Sequence, residues 1–109
     1  MDQELRELSR EEYETSFSPP MQDVTHTAEE IVDLWPYAER ALKETFSGAC
    51  TCDLTVGYVY ESGDGLFQHI LVPSHISNVY LVVVVSKVRR AIVGHHRLDL
   101  GTLYGLHDA

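Results

Sequence analysis

Cys50 and Cys52, together with histidines at 26, 69, 75, 95, 96 and 107, are the side chains in this sequence with the most chemistry available to them. Thiolate and imidazole both suit zinc, so a set built from Cys50 or Cys52 with His95 or His96 is chemically sensible. Its spacing lacks the paired ligands of structural zinc sites. No cofactor is therefore expected, with zinc as the alternative. For catalysis the available pieces are Cys52, His69, His96, Asp99 and the tyrosines, and a thiolate pair of Cys52 and His96 requires the first and fourth strands to approach. The chain has no nucleophile elbow, and Gly57, Gly63 and Gly65 are not followed by a helix that would hold phosphate. A non-enzymatic protein is the leading expectation, and a thiol enzyme using Cys52 an alternative.

Two cysteines one residue apart make an awkward bridge and too small a set for a disulfide framework, which favours reduced thiols. No secretory signal is seen in Met1-Asp2-Gln3-Glu4, and the longest apolar run is far below the ~20 residues of a membrane span. A cytoplasmic protein without membrane association is expected. The 109 residues are 44% hydrophobic and 23% charged, an ordinary globular balance despite a net charge of −9. Residues 1–48 hold twelve acids against four bases, whereas residues 49–109 hold five against four. Such a surface repels phosphate, which argues against direct nucleic-acid binding and favours encounter with a basic protein.

The elements that position these groups follow from period and punctuation. Residues 1–14 are mostly charged, with Leu5 and Leu8 as the apolar pair, and support a short, weakly anchored helix. Ser18-Pro19-Pro20 stops it, so residues 15–25 read as an arm, with Phe17 and Met21 as anchors. Thr27-Ala28-Glu29-Glu30 has the form of a capping box that opens a helix. Ile31, Trp35, Ala38, Leu42 and Phe46 recur at helical spacing as its apolar stripe, widened by Leu34. Pro36 predicts either a kink near Leu34 or two short helices with Pro36 in the first turn of the second.

After Gly48 the period becomes two. Cys52, Leu54, Val56, Tyr58 and Tyr60 form the apolar face of a first strand, and Ser62-Gly63-Asp64-Gly65 is a hairpin signal. A second strand runs from Leu66 to Val72, a third from Val79 to Val85, and a fourth from Ala91 to Leu100. A hairpin closing on Gly63-Asp64 sets Tyr58 opposite His69, and one closing on Asp64-Gly65 sets Tyr60 there. Regular alternation in the fourth strand points His96 inward and His95 outward. A symmetric turn at Val88 sets Tyr80 opposite His96, unless a bulge at Gly94 intervenes.

The expected fold is thus α+β: one main helix, kinked at Pro36 or divided there, on a four-stranded antiparallel meander, with a short N-terminal helix or arm. Residues 1–25 form the acidic arm and linker, and 26–109 a single domain. The run Val79-Tyr80-Leu81-Val82-Val83-Val84-Val85 is apolar on both alternating faces, and one helix covers only one of them. The other needs the folded-back arm, a second copy, or another protein. The tail from Asp99 to Leu106 is expected to dock as one further helical turn. These features favour a small acidic protein that binds another macromolecule, as a stand-alone inhibitor, immunity-type or adaptor protein, with Glu29, Glu30, Asp33, Glu39 and Glu44 facing a basic target. A homodimer is a second form of the same expectation. The alternative is a small-ligand or metal-binding domain whose pocket, between helix and sheet, draws on Cys50, Cys52, Tyr58, His69, Tyr80, His95 and His96.

Overall fold

Strand order in space follows strand order in the chain. The computed structural model describes residues 4–17, 22–23, 33–46 and 58–99. Within them lie helices α1 (Arg10–Thr15) and α2 (Leu34–Thr45), and strands β1 (Gln22–Asp23), β2 (Tyr58–Glu61), β3 (Phe67–Pro73), β4 (Val79–Ser86) and β5 (Ala91–Asp99). The four expected strands are β2 to β5, a meander of antiparallel neighbours, and the two-residue β1 pairs with β2 at its outer edge. No helix among the described residues is long and apolar enough to cross a membrane.

β4 sits where its composition demands. It has neighbours on both sides, and every residue from Leu81 to Ser86 is buried. Its odd positions Val79, Leu81, Val83 and Val85 meet Leu34, Tyr37, Ala38, Ala41 and Leu42 of α2, with Val59, Ile70, Val72 and Ile92 completing that layer. Its even positions Val82 and Val84 meet Leu8 and Tyr13, with Leu71 and Leu98. Helices therefore lie on both faces of the sheet, and the second face is closed in part by the chain's own N-terminal segment.

That segment is firmly anchored, contrary to expectation. Leu8 and Tyr13 are buried, and residues 6–8 run parallel to the edge of β5, where the Leu8 amide donates to the His95 carbonyl at 2.8 Å and the His95 amide to the Arg6 carbonyl at 3.0 Å. A capping box starts α1: Ser9 Oγ accepts from the Glu12 amide at 3.1 Å, and Glu12 Oε1 accepts from the Ser9 amide at 3.0 Å. Two orphan amides are thereby satisfied in a helix too short to stand on propensity.

Pro36 takes the first-turn position of the second expected route, and the short helix expected before it lies outside the described residues. α2 begins at Leu34 with Pro36 in its first turn, where a missing amide costs no hydrogen bond. This start re-phases the apolar stripe to Leu34, Tyr37, Ala38, Ala41 and Leu42, and turns Trp35 outward at 41% exposure. The β2–β3 hairpin pairs Tyr60 with His69, one of the two expected registers. Gly65 takes the positive φ of 75° that its turn requires, and Asp64 Oδ1 accepts from Ser62 Oγ at 2.6 Å and the Leu66 amide at 3.0 Å.

Three strand expectations are corrected. In β2 it is Val59 that faces α2, while Tyr58 and Tyr60 lie on the opposite face, because both faces of the sheet are covered rather than one. In β5, Ile92 pairs with Val85 but Gly94 with Val84, so Val93 is an extra residue that inverts the alternation beyond it. His95 consequently faces α2 and His96 the opposite layer, the reverse of the regular pattern. Tyr80 stands opposite Leu98, and His96 opposite Val82, because the turn is centred between Val88 and Arg89 rather than on Val88 and the extra residue adds one further step. The boundary at residue 25, the box at Thr27 to Glu30, Ile31, Met21, the first strand before Tyr58 and the tail after Asp99 lie outside the described residues.

Candidate functional site

The polar side chains that the fold draws together lie where the N-terminal segment meets the sheet. Gly94 makes this approach close: a Cβ there would stand 2.7 Å from the Arg6 carbonyl and 2.8 Å from Leu8 Cδ2. Backbone bonds at β5 then fix Arg6 above α2's Tyr37. The Arg6 amide donates to Tyr37 Oη at 3.2 Å, and Tyr37 Oη lies 2.7 Å from His95 Nδ1. Tyr37 is fully buried and His95 is 5% exposed. Burial raises the Tyr37 hydroxyl above its usual range and lowers His95, the latter opposed by the charges of Glu7 and Glu44. A neutral His95 accepting at Nδ1 completes a chain from the Arg6 amide through the Tyr37 hydroxyl to the imidazole.

On the opposite face, α1 delivers Tyr13 and Ser16 onto the sheet. Ser16 Oγ lies 2.8 Å from His69 Nε2 and donates to the Tyr13 carbonyl at 2.6 Å, which leaves His69 as donor at Nε2. His69 is 1% exposed and its Nδ1 has no hydrogen-bond partner among the described residues. Burial lowers its pKa to about 4, only partly opposed by the Ser16 backbone. The Tyr13 ring stacks on His96 at 4.2 Å and tilts against His69 at 5.1 Å, and His96 Nδ1 donates to the Leu8 carbonyl at 3.3 Å. Ser16 and His69 form a contact rather than a nucleophile and base. The hydroxyl hydrogen is already committed, the imidazole is a weak base, and no carboxylate orients its second nitrogen.

Beside this contact is a cleft of about 240 Å³ lined by Arg6, Leu8, Glu12, Thr15, Ser16, Phe67 and Val93. The Arg6 guanidinium donates to the Glu12 carboxylate across its mouth. Glu12 is held below the usual carboxylate range, first by the Ser9 amide and then by Arg6.

The expected pocket is redistributed. Tyr58, His69, Tyr80 and His96 share one face of the sheet, but it is the face away from α2, and His95 lies on the other. A single pocket between helix and sheet that holds all of them is thus corrected. Tyr58 is 49% exposed and its ring lies 6.2 Å from Tyr60 and 6.4 Å from Tyr80. Cys50 and Cys52 lie outside the described residues, as do Glu29 and Glu30. Among the described residues no group of three or more His, Cys, Asp or Glu is arranged to hold a metal ion.

Asp33, Glu39 and Glu44 are exposed at or on α2, with Glu39 paired to Lys43 at 3.8 Å. Between Asp33 and Glu39 stands Trp35, which the helical stripe had assigned to the core. Pro36 was the signal that would have moved it outward, since a helix starting just before Pro36 selects Leu34 and Tyr37 as its buried positions. Tyr13 and Ser16 carried no comparable signal. Comparison of the chain with family models, with curated proteins and with solved structures finds no match.

Proposed function

We propose that this chain acts by binding another macromolecule, a protein with a basic docking surface, through the outer face of α2. The observation that carries this reading is Trp35, a large aromatic side chain 41% exposed on a helix whose other apolar residues are buried, flanked by Asp33 and Glu39. Tryptophan is over-represented among residues that dominate interface energies, and acidic neighbours supply orientation and rate. The excess of acid over base in residues 1–48 supports a basic partner. The second sheet face supports a homodimer less than it did in the sequence, because Leu8 and Tyr13 occupy part of it. A non-enzymatic inhibitor, immunity-type or adaptor protein of the cytoplasm, where Cys50 and Cys52 stay reduced, fits these features.

The test is capture of partners from the protein's own source under native conditions by the wild type, Trp35→Ala and Glu39→Lys, followed by association kinetics with the purified partner. Binding lost in Trp35→Ala and slowed in Glu39→Lys at low salt supports the reading. Equal binding by all three overturns it.

A further inference from the structure

We propose that residues 4–17 form a strap that acid releases from the sheet, with His69 as its latch. The seat is built for this segment. Its attachment consists of two backbone bonds at β5, the room left by Gly94, the Ser16 contact with His69, the Tyr37 bridge to His95, and Tyr13 stacked on His96. Three histidines thus meet fourteen residues of chain, and two of them are buried by it or beside it.

Protonation opposes closure at His69 and leaves the His95 bridge in place. His69 is faced by Ser16, Tyr13 and Phe17 of the strap, by Tyr60 of β2, by Val84 of β4 and by His96 of β5. A charge placed there gains no carboxylate from this set, and its Nδ1 has no acceptor. His95 is faced by Tyr37 and Glu44 of α2, by Arg6 and Glu7 of the strap, and by His96 on its own strand. A proton on its Nδ1 is donated to Tyr37 Oη, whose hydroxyl turns to the Arg6 carbonyl at 3.3 Å, so this bridge survives protonation. Glu7 of the strap and Glu44 of α2 favour that charge, and the acid response is carried by His69.

The sign of the pH dependence follows. The His69 imidazole holds a proton less well under the closed strap than in water, so the open state takes up that proton as pH falls. Closure is complete above the ordinary histidine range near 6.5 and weakens as pH falls toward 4, by about 10-fold per pH unit from His69 alone. Lifting the strap uncovers the apolar surface of Leu71, Val82, Val84 and Leu98 that Leu8 and Tyr13 pack against. The core under α2 takes from the strap only the partly buried Leu5, and its fully buried residues come from α2 and the sheet.

Amide hydrogen exchange of the full chain, read by NMR at pH 7 and pH 5 and corrected for the intrinsic rate, tests this. The Leu8 and His95 amides, which bond across the strap, are expected to open at least 10-fold more often at pH 5. The Val83 amide in β4 should stay at least 10-fold better protected than the Leu8 amide at both pH values. His69→Gln should flatten the response. Equal opening of Leu8 at both pH values, or equal protection of Leu8 and Val83, overturns the proposal. Should His69→Gln fail to fold, the His69 ring resonance of the wild type decides: titration well below 6.5 is required, and an ordinary midpoint overturns the latch.

Discussion

Ser16 Oγ lies 2.8 Å from His69 Nε2, which ties the C-terminal cap of α1 to the middle of β3 through a buried contact between residues 53 positions apart. Ser16→Ala would leave both ring nitrogens of a buried histidine without partners. Loss of about 1–3 kcal/mol is expected. Ser16→Ala combined with His69→Leu removes both polar groups and should cost less than the two single changes added together. Urea midpoints of the three variants measure this. A neutral Ser16→Ala would mean the contact contributes nothing.

Gly94→Ala tests the close approach of the N-terminal segment. The new methyl would meet the Arg6 carbonyl at 2.7 Å and the Leu8 side chain at 2.8 Å, and a backbone oxygen pinned by the His95 amide has little room to move. Overpacking of this kind costs about 1–3 kcal/mol. The Leu8 amide should lose protection against exchange and stay the less protected of Leu8 and Val83. An unchanged Leu8 amide would show that the segment shifts at no cost.

How much of this was legible in the sequence depends on which signal each element uses. The run of Val79 to Val85 announced a strand covered on both faces, and it is β4. The turn Ser62 to Gly65 restricted the hairpin to two registers, of which Tyr60 opposite His69 is one. Pro36 allowed two helical arrangements, and the first-turn position is found. The N-terminal segment gave no such signal. Its anchors, Leu8, Tyr13 and Ser16, are too few for a periodic pattern, and it is held by backbone bonds and by space at Gly94. Its capping box, Ser9 with Glu12, has the same form as the one read at Thr27 and Glu30. The extra residue at Val93 lies beside Gly94, where a bulge was the stated exception to regular pairing, and it alone decides which of His95 and His96 meets α2.

Stability of the whole fold should fall as pH drops from about 6.5 to about 4. His69 is lowered by burial to about 4, so the unfolded chain binds more protons than the folded one throughout that window. The ceiling of the loss from this residue is ~3 kcal/mol for a shift of that size. His95, lowered for the same reason, adds in the same direction. Urea unfolding at pH 7, 5.5 and 4.5 checks the sign. Stability that rises on acidification in this range would contradict the burial of His69.

Tyr37→Phe separates the hydroxyl from the ring. The ring fills the layer between α2 and β4 and stays, whereas the hydroxyl that accepts from the Arg6 amide and meets His95 Nδ1 is lost. Two buried polar groups are left without that partner, at a cost of about 1–3 kcal/mol. Loss should appear first at the N-terminal segment, where the Leu8 amide exchanges faster. A variant as stable as the wild type, with Leu8 unchanged, would remove Tyr37 as a bridge.

Leu34 and Trp35 are neighbours with opposite expected outcomes, because the start of α2 at Leu34 sets which of them enters the core. Leu34 is 2% exposed and packs with Tyr37 and Ala38 against the sheet, so Leu34→Ala should cost about 2–5 kcal/mol. Trp35 lies on the outer face, and Trp35→Ala should cost about 1 kcal/mol or less. A helix phased on the stripe of Trp35, Ala38 and Leu42 would invert this order. Thermal unfolding of the two variants decides between the phases. Acrylamide quenching of the native protein gives a second reading, since Trp35 is the sole tryptophan and a core position would protect it. Ready quenching in the free protein, reduced when a partner binds, would place Trp35 in the interface as well as outside the core.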